Sequence, residues 1–230
     1  MALAETLSGV VMAQQKAPGA PIIAGGVVSI MDMGAMIYSY GAPELALFSA
    51  ALTDVVKHLG LPMFSTAGCS DAKVVDQQAA IEATLSILFA ALSGANLIHD
   101  VGFLESALIG SNEMVALSEE VIGMAKQVVK GIAVDDEHLA LDTIAQVGPA
   151  GEYISSEHTL RHFREFWHPT MMTRCAMEKW EAMGRPTMGQ RVRERVDSIL
   201  TSHQPLPIAP DQMAELRRIV AAADEQYGQE

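Results

Sequence analysis

Cysteine is almost absent from this chain. Only Cys69 and Cys175 occur, far apart and outside any CxxC spacing, which excludes a disulfide scaffold and a zinc site legible from sequence. No metal is expected. Basic residues are scarce too, with 15 Lys and Arg against 28 Asp and Glu and a formal net charge of −13. A nucleic-acid groove needs clustered Lys and Arg, so no nucleic-acid partner is expected, and the acidic balance reads as solubility. Long apolar runs are also missing. The longest apolar region, Ile81 to Ile98, is interrupted by Glu82, two serines, Gly94 and Asn96, and reads as a buried helix followed by a strand rather than a membrane span. The amino terminus lacks the basic region of a signal peptide, and Glu5, Gln14, Gln15 and Lys16 break up its apolar residues. A cytoplasmic protein without membrane contact is expected.

What is present is apolar material in helical spacing. Half of the 230 residues are hydrophobic, enough for one substantial core. The spacing predicts a helix over Leu3–Gln15, stopped by the turn at Ala17-Pro-Gly-Ala, so the chain opens on a helix with no strand before it. Pro21–Ala24 is a short apolar run leading into Gly25-Gly26 and the Met-rich loop 27–40. A helix over Pro43–His58 presents Leu45, Leu52, Val55, Val56 and Leu59 and stops at Gly60. Strand Leu61–Ser65, a polar loop over Ala67–Lys73 and a helix from Asp76 to Ser93 follow. Strand Asn96–Val101 and a helix over Glu113–Lys130 repeat the design. Strand–helix units in series indicate an α/β fold with chemistry at the carboxyl ends of the strands. Beyond Asp135 the pattern changes to a short helix near Asp136–Gln146, a short strand over Val147–Ile154, a His- and aromatic-rich segment Glu157–His168, and charged helices near Thr187–Ser202 and Pro210–Gln226. Those last helices carry most of the arginines and read as outer packing or an oligomer surface.

Several ordered segments carry a resemblance. They are Gly25-Gly26 with Met31-Asp-Met33, Tyr40-Gly-Ala-Pro-Glu44, Ser65-Thr-Ala-Gly-Cys-Ser-Asp-Ala-Lys73, Asp76-Gln-Gln-Ala-Ala80, Leu92-Ser-Gly-Ala-Asn-Leu-Ile-His-Asp-Val-Gly102 and Glu157-His-Thr-Leu-Arg-His-Phe163. Together they resemble the trimethylamine methyltransferase (MttB-like) family over nearly the whole chain. The resemblance implies a (β/α)8 TIM-barrel methyltransferase that moves a methyl group from a methylated amine to the cobalt of a corrinoid protein. It implies no tightly bound cofactor, since the cobalamin is carried by the partner. It also implies the carboxyl-terminal part of the barrel, residues 1–185, with a helical extension over 186–230. The best-known subgroup carries pyrrolysine, and none is written here. That points to the non-pyrrolysine type, some of whose members act on quaternary amines such as glycine betaine. The alternative is a non-catalytic fragment that binds a corrinoid protein or assembles with another chain. Exposed strand edges on an incomplete barrel predict a homo-oligomer or poor solubility.

Cobalt(I) attack on a methyl carbon needs the nitrogen to leave as a neutral amine. A quaternary ammonium already meets that condition, so the protein's task is positioning in a cation-friendly pocket of aromatic faces and carboxylates. Tyr38 and Tyr40 are candidates for such a cage, or else cover the barrel top. Phe103, on an exit loop, is better placed than Phe64, which is read as core. Strand alternation sends His99 and Asp100 to opposite faces, and His99 is either a catalytic or a structural histidine. Glu105 either complements a cation or is solvated. Asp71 and Lys73 are the favoured polar pair, with helix-entry capping and a Lys73 pair to the next helix as the alternative. Cys69 is set aside as a thiol or zinc ligand. Arg161 or Arg164 is a candidate for the carboxylate of a betaine, against surface pairing with Glu157 and Glu165.

Overall fold

The computed structural model describes residues 1–228 and contains two compact units, Met1–Val196 and one beginning at Asp197. Helix α1 (Ala2–Lys16) leads to β1 (Ala24–Gly25), a small antiparallel hairpin of β2 (Met31–Asp32) and β3 (Ile37–Tyr38), and helix α2 (Pro43–His58). Pro43 opens α2, where its missing amide forfeits no intrahelical bond. Strand β4 (Met63–Thr66) is followed by α3 (Gln77–Ser93). Asp76 caps α3 by accepting from the amides of Gln78 and Ala79 at 2.9 and 3.2 Å, and Gly94 ends it in the left-handed region. Strand β5 (Leu97–His99) then precedes a second hairpin, β6 (Phe103–Leu104) with β7 (Ile109–Gly110). Ser111 caps α4 (Asn112–Lys130) through the Met114 amide at 3.2 Å. Four short helices follow: α5 (Asp136–Leu139), α6 (Leu141–Val147), α7 (Glu157–His162) and α8 (Met177–Ala182). Helix α9 (Met188–Ser202) runs across the division, and α10 (Pro210–Tyr227), in the second unit, buries none of its residues.

The sheet that matters has three strands in the order β1-β4-β5, all parallel. Gly25 stands opposite Phe64, Phe64 opposite Leu97, and Thr66 opposite His99. Consecutive strands are therefore neighbours, joined by α2 and α3. Both helices contact β4, and α3 packs in turn on α2 and α4. Ala79, Ala83, Ile87 and Ala90 of α3 meet Leu117, Val121 and Ala125 of α4 in one core, and the small residues let the helices approach closely. Ala24, Leu52, Val56 and Met63 hold α2 to the sheet, and burial of side chains such as Val56 and Met63 contributes about 1.5–3 kcal/mol each.

The other side of the sheet is bare. Phe64 is 41% exposed and Leu97 49%, although parallel sheets are ordinarily covered on both faces. Phe64 is thus not a core residue, because only one side of its strand is covered by helices. Two further expectations are corrected. The run Val147–Ile154 forms no strand: Gly148 and Ala150 turn the backbone at φ 68 and 62, and Ile154 lies exposed. The helix expected over 136–146 is broken at Ala140, which adopts φ 50 and separates α5 from α6. Among the described residues no helix is long and apolar enough to cross a membrane.

Candidate functional site

Each of the three parallel strands ends in a loop, and the loops meet at Asp71. Its Oδ1 accepts from the Tyr40 amide at 2.9 Å and the Ser106 hydroxyl at 2.6 Å, and its Oδ2 accepts from the Ser39 hydroxyl. One carboxylate from the β4 loop therefore ties down the hairpin after β1 and the hairpin after β5. Burial pushes the Asp71 carboxyl upward, but the bonds from Ser106, Ser39 and the Gly41 and Tyr40 amides outweigh it and hold the group below its ordinary value. Glu82 supports the loop from α3, accepting from the Ser70 hydroxyl at 2.6 Å and the Asp71 amide at 2.9 Å.

Asp71 and Lys73 do not form a charge pair. Lys73 is exposed, and its Nζ donates to the Asp71 main-chain oxygen at 2.7 Å. It lines a separate open groove of about 680 Å3 with Leu104, Asn112, Gln190 and Arg193. The alternative reading of this loop as helix-entry capping does not hold for Asp71, since Asp76 caps α3.

Beside Asp71 lies a cluster of rings and carboxylates, the strand-end cup. Tyr38 and Tyr40 meet edge to face with centroids 5.5 Å apart. Burial raises both phenols, and for Tyr40 the Asp100 charge adds to the effect, so both stay neutral hydroxyls. His99 lies against Phe64 at 4.3 Å, and its Nδ1 is 2.7 Å from Asp100 Oδ1. Strand alternation does not separate His99 from Asp100, because Asp100 leaves the strand at φ 76 and its carboxylate turns back to the imidazole. Thr66, at the end of β4, fixes the other oxygen with a 2.5 Å bond to Asp100 Oδ2. Burial pushes the Cys69 thiol up to about 12, so it stays protonated and is not poised as a thiolate.

Glu105, Ser106 and Ala107 are three successive non-glycine residues with positive φ, at 49, 52 and 73. Such backbone costs on the order of 1–2 kcal/mol per residue, and local bonds hold it: the Glu105 amide donates to Ala72 O at 2.9 Å, the Ser106 amide to Ser70 O at 3.1 Å, and the Ser106 hydroxyl to Asp71. Among the described residues the Glu105 carboxylate makes no hydrogen bond or ion pair. Phe103, on β6, is partly exposed and accepts from the Ser70 amide through its main chain. Arg161 is engaged elsewhere, by Glu137 of α5 at 2.8 Å and by Glu157 at 3.6 Å, the second being the surface pairing that helical spacing allows.

Ser39, Thr66, Glu82 and Ser106 carry much of this geometry and have no sequence signal that marks them, while the sequence marks Asp100 only as the neighbour that alternation separates from His99. Asp100 stands next to a candidate and precedes Val101-Gly102, a turn signal after a strand, which is the one cue that was available. Gly68 sits at the base of the same loop with φ 82, where an added Cβ would lie 2.7 Å from Val101 Cγ1. Gly68→Ala is expected to cost about 2 kcal/mol in urea unfolding. A loss under about 0.5 kcal/mol would show that the loop has room to relax.

The arrangement is that of an α/β protein whose polar and aromatic groups gather at the carboxyl ends of parallel strands. The chain belongs to the trimethylamine methyltransferase (MTTB) family, whose profile matches residues 1–228. It is 37% identical over 224 residues to trimethylamine methyltransferase MttB of Desulfitobacterium hafniense strain DCB-2, covering 97% of this chain and 45% of that protein. To glycine betaine methyltransferase of Desulfitobacterium hafniense strain Y51 it is 34% identical, over 99% of this chain and 48% of the relative. To trimethylamine methyltransferase MttB of Methanosarcina barkeri strain Fusaro it is 34% identical, over 97% and 45%. The chain thus spans about half the length of the curated relatives it matches.

Proposed function

We propose that this chain carries part of the amine site of a methyltransferase that passes a methyl group from a methylated amine to the cobalt of a corrinoid protein. The amine is trimethylamine or a quaternary amine such as glycine betaine. We further propose that the three parallel strands are consecutive strands of a (β/α)8 barrel, with residues 1–185 as its barrel portion and 186–230 as a helical extension.

The observation that supports this best is the cup at the strand ends. Two neutral tyrosines meet edge to face beside the Asp71 and Asp100 carboxylates, in a family with relatives named for trimethylamine and glycine betaine. Aromatic faces hold a fixed ammonium charge by about 0.5–2 kcal/mol each, and a carboxylate adds Coulomb attraction. The corrinoid, bound to a partner protein, supplies the cobalt nucleophile. The chain's residues bind and orient the donor: Tyr38 and Tyr40 face the cation, Asp100 complements it beside His99, and Phe103 and Glu105 extend the rim. Asp71 acts as a positioning residue, since its carboxylate is occupied by Ser39, Tyr40 and Ser106.

The test is methylation of cob(I)alamin by the purified chain, followed spectroscopically with glycine betaine, other betaines and trimethylamine as donors. Donor-dependent methylation that falls at least tenfold in Tyr40→Ala is expected. Folded protein that neither turns over nor binds any donor would overturn the assignment. It would favour the second reading, a non-catalytic piece that binds a corrinoid protein or assembles with another chain or copy. The uncovered sheet face at Phe64 and Leu97 is the observation behind that alternative.

A further inference from the structure

Three of the chain's seven histidines converge at a place unconnected with the strand-end cup. His138 ends the first turn of α5, and His158 and His162 lie on α7. The rings of His138 and His162 are 5.0 Å apart between centroids, and those of His158 and His162 are 4.3 Å apart. Glu165, three residues beyond His162, reaches back between two of them. Its Oε1 is 2.6 Å from His162 Nδ1 and its Oε2 is 3.5 Å from His138 Nε2.

We propose that His138, His162 and Glu165 form a binding site for a divalent transition cation of the zinc, cobalt or nickel kind. The ligands are His138 Nε2, His162 Nδ1 and the Glu165 carboxylate, with a fourth position left to water. One ligand atom from each lies within 4.8 Å of the others. Ligands at 2.0–2.1 Å in a tetrahedral shell stand about 3.4 Å apart, so small side-chain rotations close the set.

Two features distinguish this group from an ordinary surface salt-bridge cluster. The far nitrogen of each ligand imidazole already has a carboxylate: Asp135 Oδ1 sits 2.7 Å from His138 Nδ1, and Glu137 Oε1 sits 3.1 Å from His162 Nε2. A carboxylate on the second ring nitrogen is the arrangement that orients metal-binding histidines and raises their basicity. The charge balance also selects this set over the neighbouring one of Glu137, His158 and His162, because Arg161 already neutralises Glu137 at 2.8 Å, whereas no cationic side chain other than these imidazoles pairs with Glu165 among the described residues. Imidazole with carboxylate suits zinc, nickel and cobalt better than calcium or magnesium. A metal here would join α5 to α7 across the α6 segment.

Calorimetric titration of the full chain, stripped with chelator, with zinc chloride tests this, with cobalt(II) absorption as a second readout. One equivalent of zinc and a cobalt spectrum of tetrahedral intensity are expected. His138→Ala and His162→Ala should each weaken zinc at least tenfold, Asp135→Asn by about tenfold as an orienting residue, and His203→Ala not at all. The site side chains are at least partly exposed, and unchanged circular dichroism would show that the variants remain folded. Zinc binding unaltered by His162→Ala, or absent from the folded parent chain, overturns the site.

Discussion

Replacing Glu120 by alanine is expected to destabilise the protein by about 4 kcal/mol, the largest single loss anticipated for any side chain here. Glu120 sits on α4 at 3% exposure, and its carboxylate receives everything that the 170–172 segment has to donate. The Thr170 amide lies at 3.0 and 3.1 Å from its two oxygens, the Thr170 hydroxyl at 2.5 Å, and the Met171 and Met172 amides at 3.0 and 2.8 Å. Met171 is itself buried in the core beside α4, so the anchor also seats an apolar side chain. Truncation leaves three amides and a hydroxyl without their acceptor. Each lost bond to a charged acceptor costs about 1.5–3 kcal/mol, and water entering the space recovers part of the sum. Glu120→Gln keeps the shape but turns a donor towards donors, and about half the loss is expected. Urea unfolding followed by circular dichroism measures both. An alanine variant within about 1 kcal/mol of the parent would show that the segment is held by Met171 packing alone.

The second large effect is expected at Asp71. Asp71→Ala should lose about 3 kcal/mol of stability and reduce donor-dependent methylation at least tenfold, because it frees both hairpins that present Tyr38, Tyr40 and Phe103. The pH dependence has a definite sign. The folded-state value of Asp71 lies below its unfolded value of about 3.9, so its contribution is complete above that pH and drains away as pH falls through the lower, folded value. Glu120 behaves alike, since burial raises its carboxyl but the Met172, Thr170 and Met171 donors outweigh burial and lower it. The difference in stability between parent and Asp71→Ala should therefore be constant from neutral pH to about 5 and shrink below about 4. A difference that grew on acidification would contradict an ionised, hydrogen-bonded Asp71.

What could be read in the sequence was local. Pro43, Asp76, Gly94 and Gly131 mark helix ends through chemistry confined to a turn, and each stands at or beside the observed boundary. The apolar runs at 61–65 and 96–101 became β4 and β5, each shorter than expected, since pairing in a three-stranded sheet covers only part of each run. The hairpins at 31–38 and 103–110 were not legible. Each strand has only two residues, too few to alternate, and the hairpins are drawn into place by Asp71 from more than thirty residues away. Glu120 was hidden for the same reason. The pair Glu119-Glu120 looks like solvated surface until residues fifty positions later arrive to bond the second of them. The expected separation of Asp100 from His99 fails because alternation holds only while the backbone stays extended, and Asp100 leaves the strand in a left-handed turn.

The open face of the sheet has an electrostatic consequence. Phe64 and Leu97 face water while the Asp100 carboxylate beside His99 is 19% exposed, so it acts near the protein surface, where an effective dielectric constant of about 20 gives a unit charge 4 Å away about 4 kcal/mol. Covering that face with further protein would exclude water from Phe64 and His99, lower the effective dielectric constant around the carboxylate and strengthen the same attraction. Under the proposed function, the hold on a cation at these strand ends would depend on what lies over Phe64 as well as on the residues that touch the ligand.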